Sequence, residues 1–169
     1  MAVHKTFSSA AAAVNHYGNI IEEELESTMK TAASEGLKAA VNSTPVDEGT
    51  ARSNWVTSTK APVVATRSPF AKGSHLGIGE TANANATIND GNARLQRYQI
   101  KDGSIYISNS TPYIGDLNDG SSAQSPGNMD MMAISAIVSV VSRATVLGKF
   151  RASKYGKRNI QTRFGAEKA

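Results

Sequence analysis

Residues 44–55 read Thr44-Pro45-Val46-Asp47-Glu48-Gly49-Thr50-Ala51-Arg52-Ser53-Asn54-Trp55, and the chain changes from helix to strand across them. Upstream, over residues 8–42, Val14, Ile21, Leu25, Met29, Ala33, Leu37 and Val41 (with Ala40) recur every three, four or seven positions. That spacing lays one apolar stripe along a long helix. Ser8 or Ser9 is placed to cap it. The stripe is rich in alanine, so Leu25, Met29 and Leu37 are expected to supply most of its burial, at roughly 1.5–3 kcal/mol each if fully covered. Gly18 and Gly36 each cost a helix about 1 kcal/mol relative to alanine, and either could mark a bend. Pro45 ends the helix, because the residue before a proline avoids the helical region.

Within the stretch itself, Gly49 permits a positive φ and Asp47 is the kind of residue that bonds turn amides. Arg52 is expected to pair with Asp47 or with a neighbouring subunit. Trp55-Val56-Thr57-Ser58-Thr59 is β-branched and aromatic and reads as a strand. Residues 61–79 carry repeated turn signals and read as a loop. Residues 80–98 read as a helix with an Ile88/Leu95/Tyr98 face, weakened by asparagines and Gly91. After the Asp102-Gly103 turn signal, residues 104–108 alternate as a second strand. Residues 109–127 are dense in Gly, Ser, Asn, Asp and Pro and read as loop. Residues 129–147 form a helix apolar almost all round, expected to lie in a core or a subunit interface.

The resulting expectation is an α+β fold: a long N-terminal helix and a C-terminal helix packed on a small, mainly antiparallel sheet. The 169 residues favour one domain, here 1–148 with a 61–98 insert, followed by a basic arm, 149–169. The net charge of +4 is unevenly placed. Residues 1–142 carry a net −3, and residues 143–169 a net +7. Lys149, Arg151, Lys154, Lys157, Arg158 and Arg163, interleaved with Phe150, Tyr155 and Phe164, suit contact with DNA or with an acidic partner ring. Cysteine is absent, which removes disulfides and thiolate metal sites and fits assembly in a reducing cytoplasm. No apolar run reaches the roughly 18 residues of a membrane span, and no signal peptide is expected.

Chemistry-bearing patterns are sparse. His4, His16 and His75 stand far apart, with no HExxH spacing. Gly77-Ile78-Gly79 lacks the preceding strand and third glycine of a dinucleotide site. Gly73-Ser74-His75 is not a nucleophile elbow. Asp116 and Asp119 read as turn formers bonding their own backbone. The expectation is no enzyme, no cofactor and no metal.

A second segment gives the first its meaning. Asn109-Ser110-Thr111-Pro112-Tyr113-Ile114-Gly115-Asp116-Leu117-Asn118-Asp119-Gly120-Ser121-Ser122, then Gln124, Pro126, Gly127 and Met129, stands about sixty residues after the first. Together, and in this order, the two resemble the HK97 gp10-like family of tailed-bacteriophage neck and tail-completion proteins. The resemblance covers most of residues 10–145 but not the 61–98 insert. Glu48 stands where that family commonly has threonine, and Ala51 where it commonly has a large apolar residue. The stretch after Pro126 lacks the family's usual aromatic.

The resemblance implies a structural virion protein forming a ring, hexameric, at the head–tail junction. Such a ring joins tail to head, keeps the DNA channel continuous, and contacts a head-connector or stopper ring and tail-terminator or tail-tube proteins. Arg52, Tyr113, Leu117, Asn118, Met129 and Met132 are the expected subunit-interface residues, with Leu117→Asp expected to block assembly while the monomer folds. The alternatives are a tail terminator, a minor capsid component, or a nucleic-acid-binding protein acting through the basic arm.

Overall fold

A computed structural model of the chain describes residues 10–72 and 80–144. Helix α1 (Ala10–Ser43) is followed by a single helical turn, α2 (Thr50–Ser53), and strand β1 (Trp55–Ser58). Helix α3 (Glu80–Leu95), a 3-10 turn (Ile100–Asp102) and strand β2 (Tyr106–Asn109) come next. The short helix α4 (Ile114–Asn118) precedes the last helix, α5, described over 129–144. The fold is α+β, as the sequence implies. The second strand lies at 106–109 rather than 104–108, the helix expected over 80–98 ends at Leu95, and two further helical turns appear: α2 in the stretch between Pro45 and Trp55, and α4 in the 109–127 loop. In each case a few residues between turn signals close one helical turn too short to show a period.

β1 and β2 pair antiparallel, Trp55 opposite Asn109 and Ser58 opposite Tyr106, as a two-stranded sheet. A two-stranded ribbon is marginal alone in water. Here α1 and α3 both pack on β1, and Trp55, Val56 and Thr57 are buried. Leu37, Ala40 and Val41 of α1, Trp55, Ala84 of α3, and Met129 and Ala133 of α5 form the core, with Ile88, Ile107, Ile114 and Leu117 packed against it.

Two glycines let large neighbours approach. A Cβ at Gly36 would lie 2.7 Å from Ile137 Cγ1, so Gly36 is a seat for α5, and α1 runs through both Gly18 and Gly36 without a break. A Cβ at Gly91 would run into the Leu37 side chain, so α3 lies against α1 at the core's best-buried leucine.

Only the C-terminal half of the α1 stripe is core. Ala33, Leu37, Ala40 and Val41 are buried, whereas Val14, Ile21 and Leu25 are exposed. The expectation that Leu25 anchors the helix is therefore wrong. The sheet and α3 are too short to reach it, and Met29 is the last large stripe residue partly covered, with its sulfur 3.1 Å from Tyr98 Oη. The Glu26–Lys30 pair forms at 2.7 Å, a solvent-screened surface contact that adds little to the helix.

Candidate subunit-contact surface

The two sequence segments that carry the resemblance lie side by side. Thr44 is the hub of the first. Its Oγ1 donates to the Ala40 carbonyl at 2.6 Å and accepts from Trp55 Nε1 at 2.7 Å. Its carbonyl accepts from Arg52 Nη2 at 2.6 Å. Gly49, at φ 82°, lets the chain turn back into α2. So the end of α1, α2 and the start of β1 are bound into one unit.

Besides a hydrogen bond between Tyr113 and Thr50, three bonds tie the second segment to that unit. Asn109 Nδ2 donates to the Ala51 carbonyl at 2.7 Å, the Val46 amide donates to Gln124 Oε1 at 3.0 Å, and Ser125 Oγ donates to the Ser43 carbonyl at 3.0 Å. Past Ser125 the loop folds tightly before α5. The Asn128 amide donates to the Asn118 carbonyl at 2.7 Å, and Asn118 Oδ1 accepts from the Asp130 amide. Gly120 and Gly127 both have positive φ, and a Cβ at Gly127 would run into the Asn118 carbonyl.

Between the two segments lies an open cleft of 330 Å³ floored by Val46 and Ala51 and flanked by Tyr113 and Leu117. Asp47 and Glu48 stand on its rim. Tyr113 is 44% exposed. Partial burial, then the charges of Glu48 and Asp47, push its hydroxyl above the ordinary tyrosine value, against a hydrogen bond with Thr50 that acts the other way. A neighbouring cleft of 380 Å³ runs from Asn42 and Pro45 to Pro126 and Met132. Both are open grooves lined by polar and apolar residues together. Among the described residues, no three His, Asp or Glu side chains gather as a metal site.

The expected interface residues divide. Tyr113 and Met132 (51% exposed) lie at the surface beside these clefts. Leu117 is half-buried against the core, and Asn118 is occupied in holding the start of α5. Met129 is fully buried in the core, and Arg52 is buried against Thr44, where it lines the 380 Å³ cleft. Met129 lies in the core because the Gly127-Asn128 turn aims the first residue of α5 inward. Lys149, Arg151, Lys154, Lys157, Arg158 and Arg163 lie outside the described residues.

The sequence reading missed a second cluster, which fixes the 61–72 segment. Asn54 and Asn83 each grip one residue's backbone as a strand partner would. Asn54 Nδ2 donates to the Arg67 carbonyl while its Oδ1 accepts the Arg67 amide, at 2.9 and 2.7 Å. Asn83 does the same to Ala71, at 2.8 and 2.7 Å, and also accepts from Ser53 Oγ. Arg67 reaches back with Nε to the Ser53 carbonyl, pairs with Asp90 at 2.9 Å, and stacks 4.4 Å above the Phe70 ring. Burial would raise the Asp90 carboxyl; hydrogen bonds from Arg67 and Arg94, with their charges, outweigh it and hold the pKa below the ordinary aspartate value.

α5 presents a further surface. Met129, Ala133 and Val140 face the core, while Met131, Met132, Ile134, Val138 and Val141 are exposed. No family model, curated protein or solved structure matches the chain.

Proposed function

We propose that the chain is a structural subunit of a tailed-bacteriophage virion, without catalytic activity, that forms a hexameric ring at the head–tail junction and joins tail to head around a continuous DNA channel. The observation that carries the reading is the union of the two motif segments into one surface. Residues about sixty positions apart, in the order resembling the neck and tail-completion family, are fastened together by Asn109, Gln124 and Ser125. What they build is scaffold: hydrogen bonds close turns and set the angle at which Tyr113 and α5 are displayed. The exposed apolar side of α5 adjoins that surface at Met132. A ring buries such a surface against the next copy, and the outward faces meet the connector or stopper ring on one side and the terminator or tube on the other. The basic arm is assigned to the channel DNA or the adjacent ring.

Leu117 is a poor probe, because a carboxylate there would enter the partly buried edge of the core. Met132→Asp and Val138→Asp alter exposed positions instead. Both should leave Trp55 fluorescence native while lowering the mass of the purified assembly by light scattering and abolishing incorporation into particles. Wild-type protein that stays monomeric at high concentration and never enters virions would overturn the proposal. If instead the monomer bound duplex DNA with a steep salt dependence carried by the arm, the nucleic-acid reading would replace it.

A further inference from the structure

The N-terminal half of α1 extends past the rest of the fold with an apolar face on show. Val14, Ile21 and Leu25 are 70, 66 and 46% exposed. At about 100° per residue these three fall within a sector of about 60° that also contains Gly36. Gly36 is where α5 sits, through Ile137. So the exposed side chains lie on the face of α1 that α5 already occupies further along.

The direction of α5 extends that line. Ser125, just ahead of α5, bonds Ser43 at the end of α1, and Ile137 meets Gly36. The two helices therefore run antiparallel. At equal rise per residue, position 144, seven past Ile137, draws level with Met29, seven before Gly36. The described part of α5 stops where the exposed part of α1 begins.

Charge points the same way. Residues 10–28 carry Glu22, Glu23, Glu24 and Glu26 and no Lys or Arg, while residues 145–169 carry seven Lys or Arg and one Glu. Residues 10–28 span about 28 Å as helix, and twenty-five residues reach that far in any conformation from helix to strand. A second copy of the same helix would bring carboxylates against carboxylates, which disfavours self-pairing.

We propose that the C-terminal arm of each subunit docks along its own α1, its apolar residues over Val14, Ile21 and Leu25 and its basic residues against the flanking glutamates. This goes beyond the ring reading and does not depend on it. The arm then has a seat in the free subunit, and contact with DNA or a neighbouring ring competes with that seat.

The chain has no cysteine, so one engineered pair reports one contact. Full-length protein carrying Leu25→Cys with Phe150→Cys should form an intramolecular disulfide under mild oxidation, roughly a hundredfold faster than micromolar molecules pair with each other. The control is Ser27→Cys with Phe150→Cys, an exposed position about 3 Å from Leu25 along α1 but about 160° round from it. A docked arm pairs with the first site and several-fold more slowly with the second; an undocked arm, attached only through the end of α5, pairs with both alike. Adding Glu22→Lys and Glu24→Lys should slow the first pairing, as should high salt. Trp55 fluorescence checks folding in every variant. Equal rates at the two sites, no pairing, or disulfides only between molecules would each overturn the proposal.

Discussion

Thr44→Val replaces a hydroxyl with a methyl group at nearly constant volume. Thr44 is fully buried, and its Oγ1 is the acceptor for the indole N–H of Trp55 at 2.7 Å. Valine leaves that donor without a partner inside the core, which costs about 1–3 kcal/mol. The Ala40 carbonyl also loses its Thr44 donor, and Ser43 Oγ, whose single hydrogen is shared between the Ala39 carbonyl at 2.7 Å and the Ala40 carbonyl at 3.1 Å, replaces it only in part. Thr44→Ser makes the opposite change. It keeps the hydroxyl and removes one methyl group, a loss of about 1 kcal/mol with limited relaxation. Valine should therefore destabilise more than serine, although valine is the better filler. Urea unfolding followed by the single tryptophan measures both, since Trp55 is itself the reporter. If Thr44→Val is as stable as the parent protein, or more stable than Thr44→Ser, the hydrogen-bond hub does not hold the helix-to-strand switch together.

Asn83→Ala removes three hydrogen bonds from a fully buried side chain and should cost about 2–3 kcal/mol, read from the denaturant midpoint. Gly127→Ala places a side chain at φ 82° against the Asn118 carbonyl; it should destabilise by more than about 1 kcal/mol and loosen the start of α5 in amide exchange. Because the folded Asp90 pKa lies below its ordinary value, its contribution is complete above the ordinary aspartate range and is lost as pH falls through the folded value. Asp90→Asn should therefore flatten the fall in Tm as the pH drops from the ordinary aspartate range through the lower folded value, and an unchanged slope would contradict the ion pair with Arg67.

The element order was legible because most of the elements have periodic cores. The α1 stripe, the β-branched run after Asn54 and the apolar 129–144 segment each carry their period in the sequence. What periodicity does not carry is where a stripe stops being covered. Val14 and Leu25 continue the spacing that leads to Leu37, yet only Leu37 is buried, in part because Gly91, a residue that weakens the helical reading of α3, lets that helix come close to it. The asparagines of 80–92 misled in the same direction. Counted as helix-weakening residues, they hid Asn83, whose side chain is the buried anchor of the 61–72 segment. Arg67 and Asp90 were equally invisible, since their pairing depends on how the insert folds back. Of the expected contact residues, Tyr113 and Met132 stayed at the surface, while Met129 and Arg52 went inside because tight turns before them set the direction of the chain.

The grip of Asn54 and Asn83 on backbone amides and carbonyls has a consequence for variation. Val63 is held the same way, its amide donating to Ser108 Oγ and its carbonyl accepting from Ser110 Oγ. At Val63 and Ala71 what is recognised is the peptide unit, which every non-proline residue presents alike. Apart from Thr66, whose Oγ1 donates to the Ser110 carbonyl at 2.9 Å, and Arg67 with its stacking partner Phe70, the 61–72 segment is thus free to change its side chains while keeping its course. A short foreign peptide substituted at 63–65 would be carried on the surface at a defined place, which makes this segment the natural position for displaying an epitope or a capture tag.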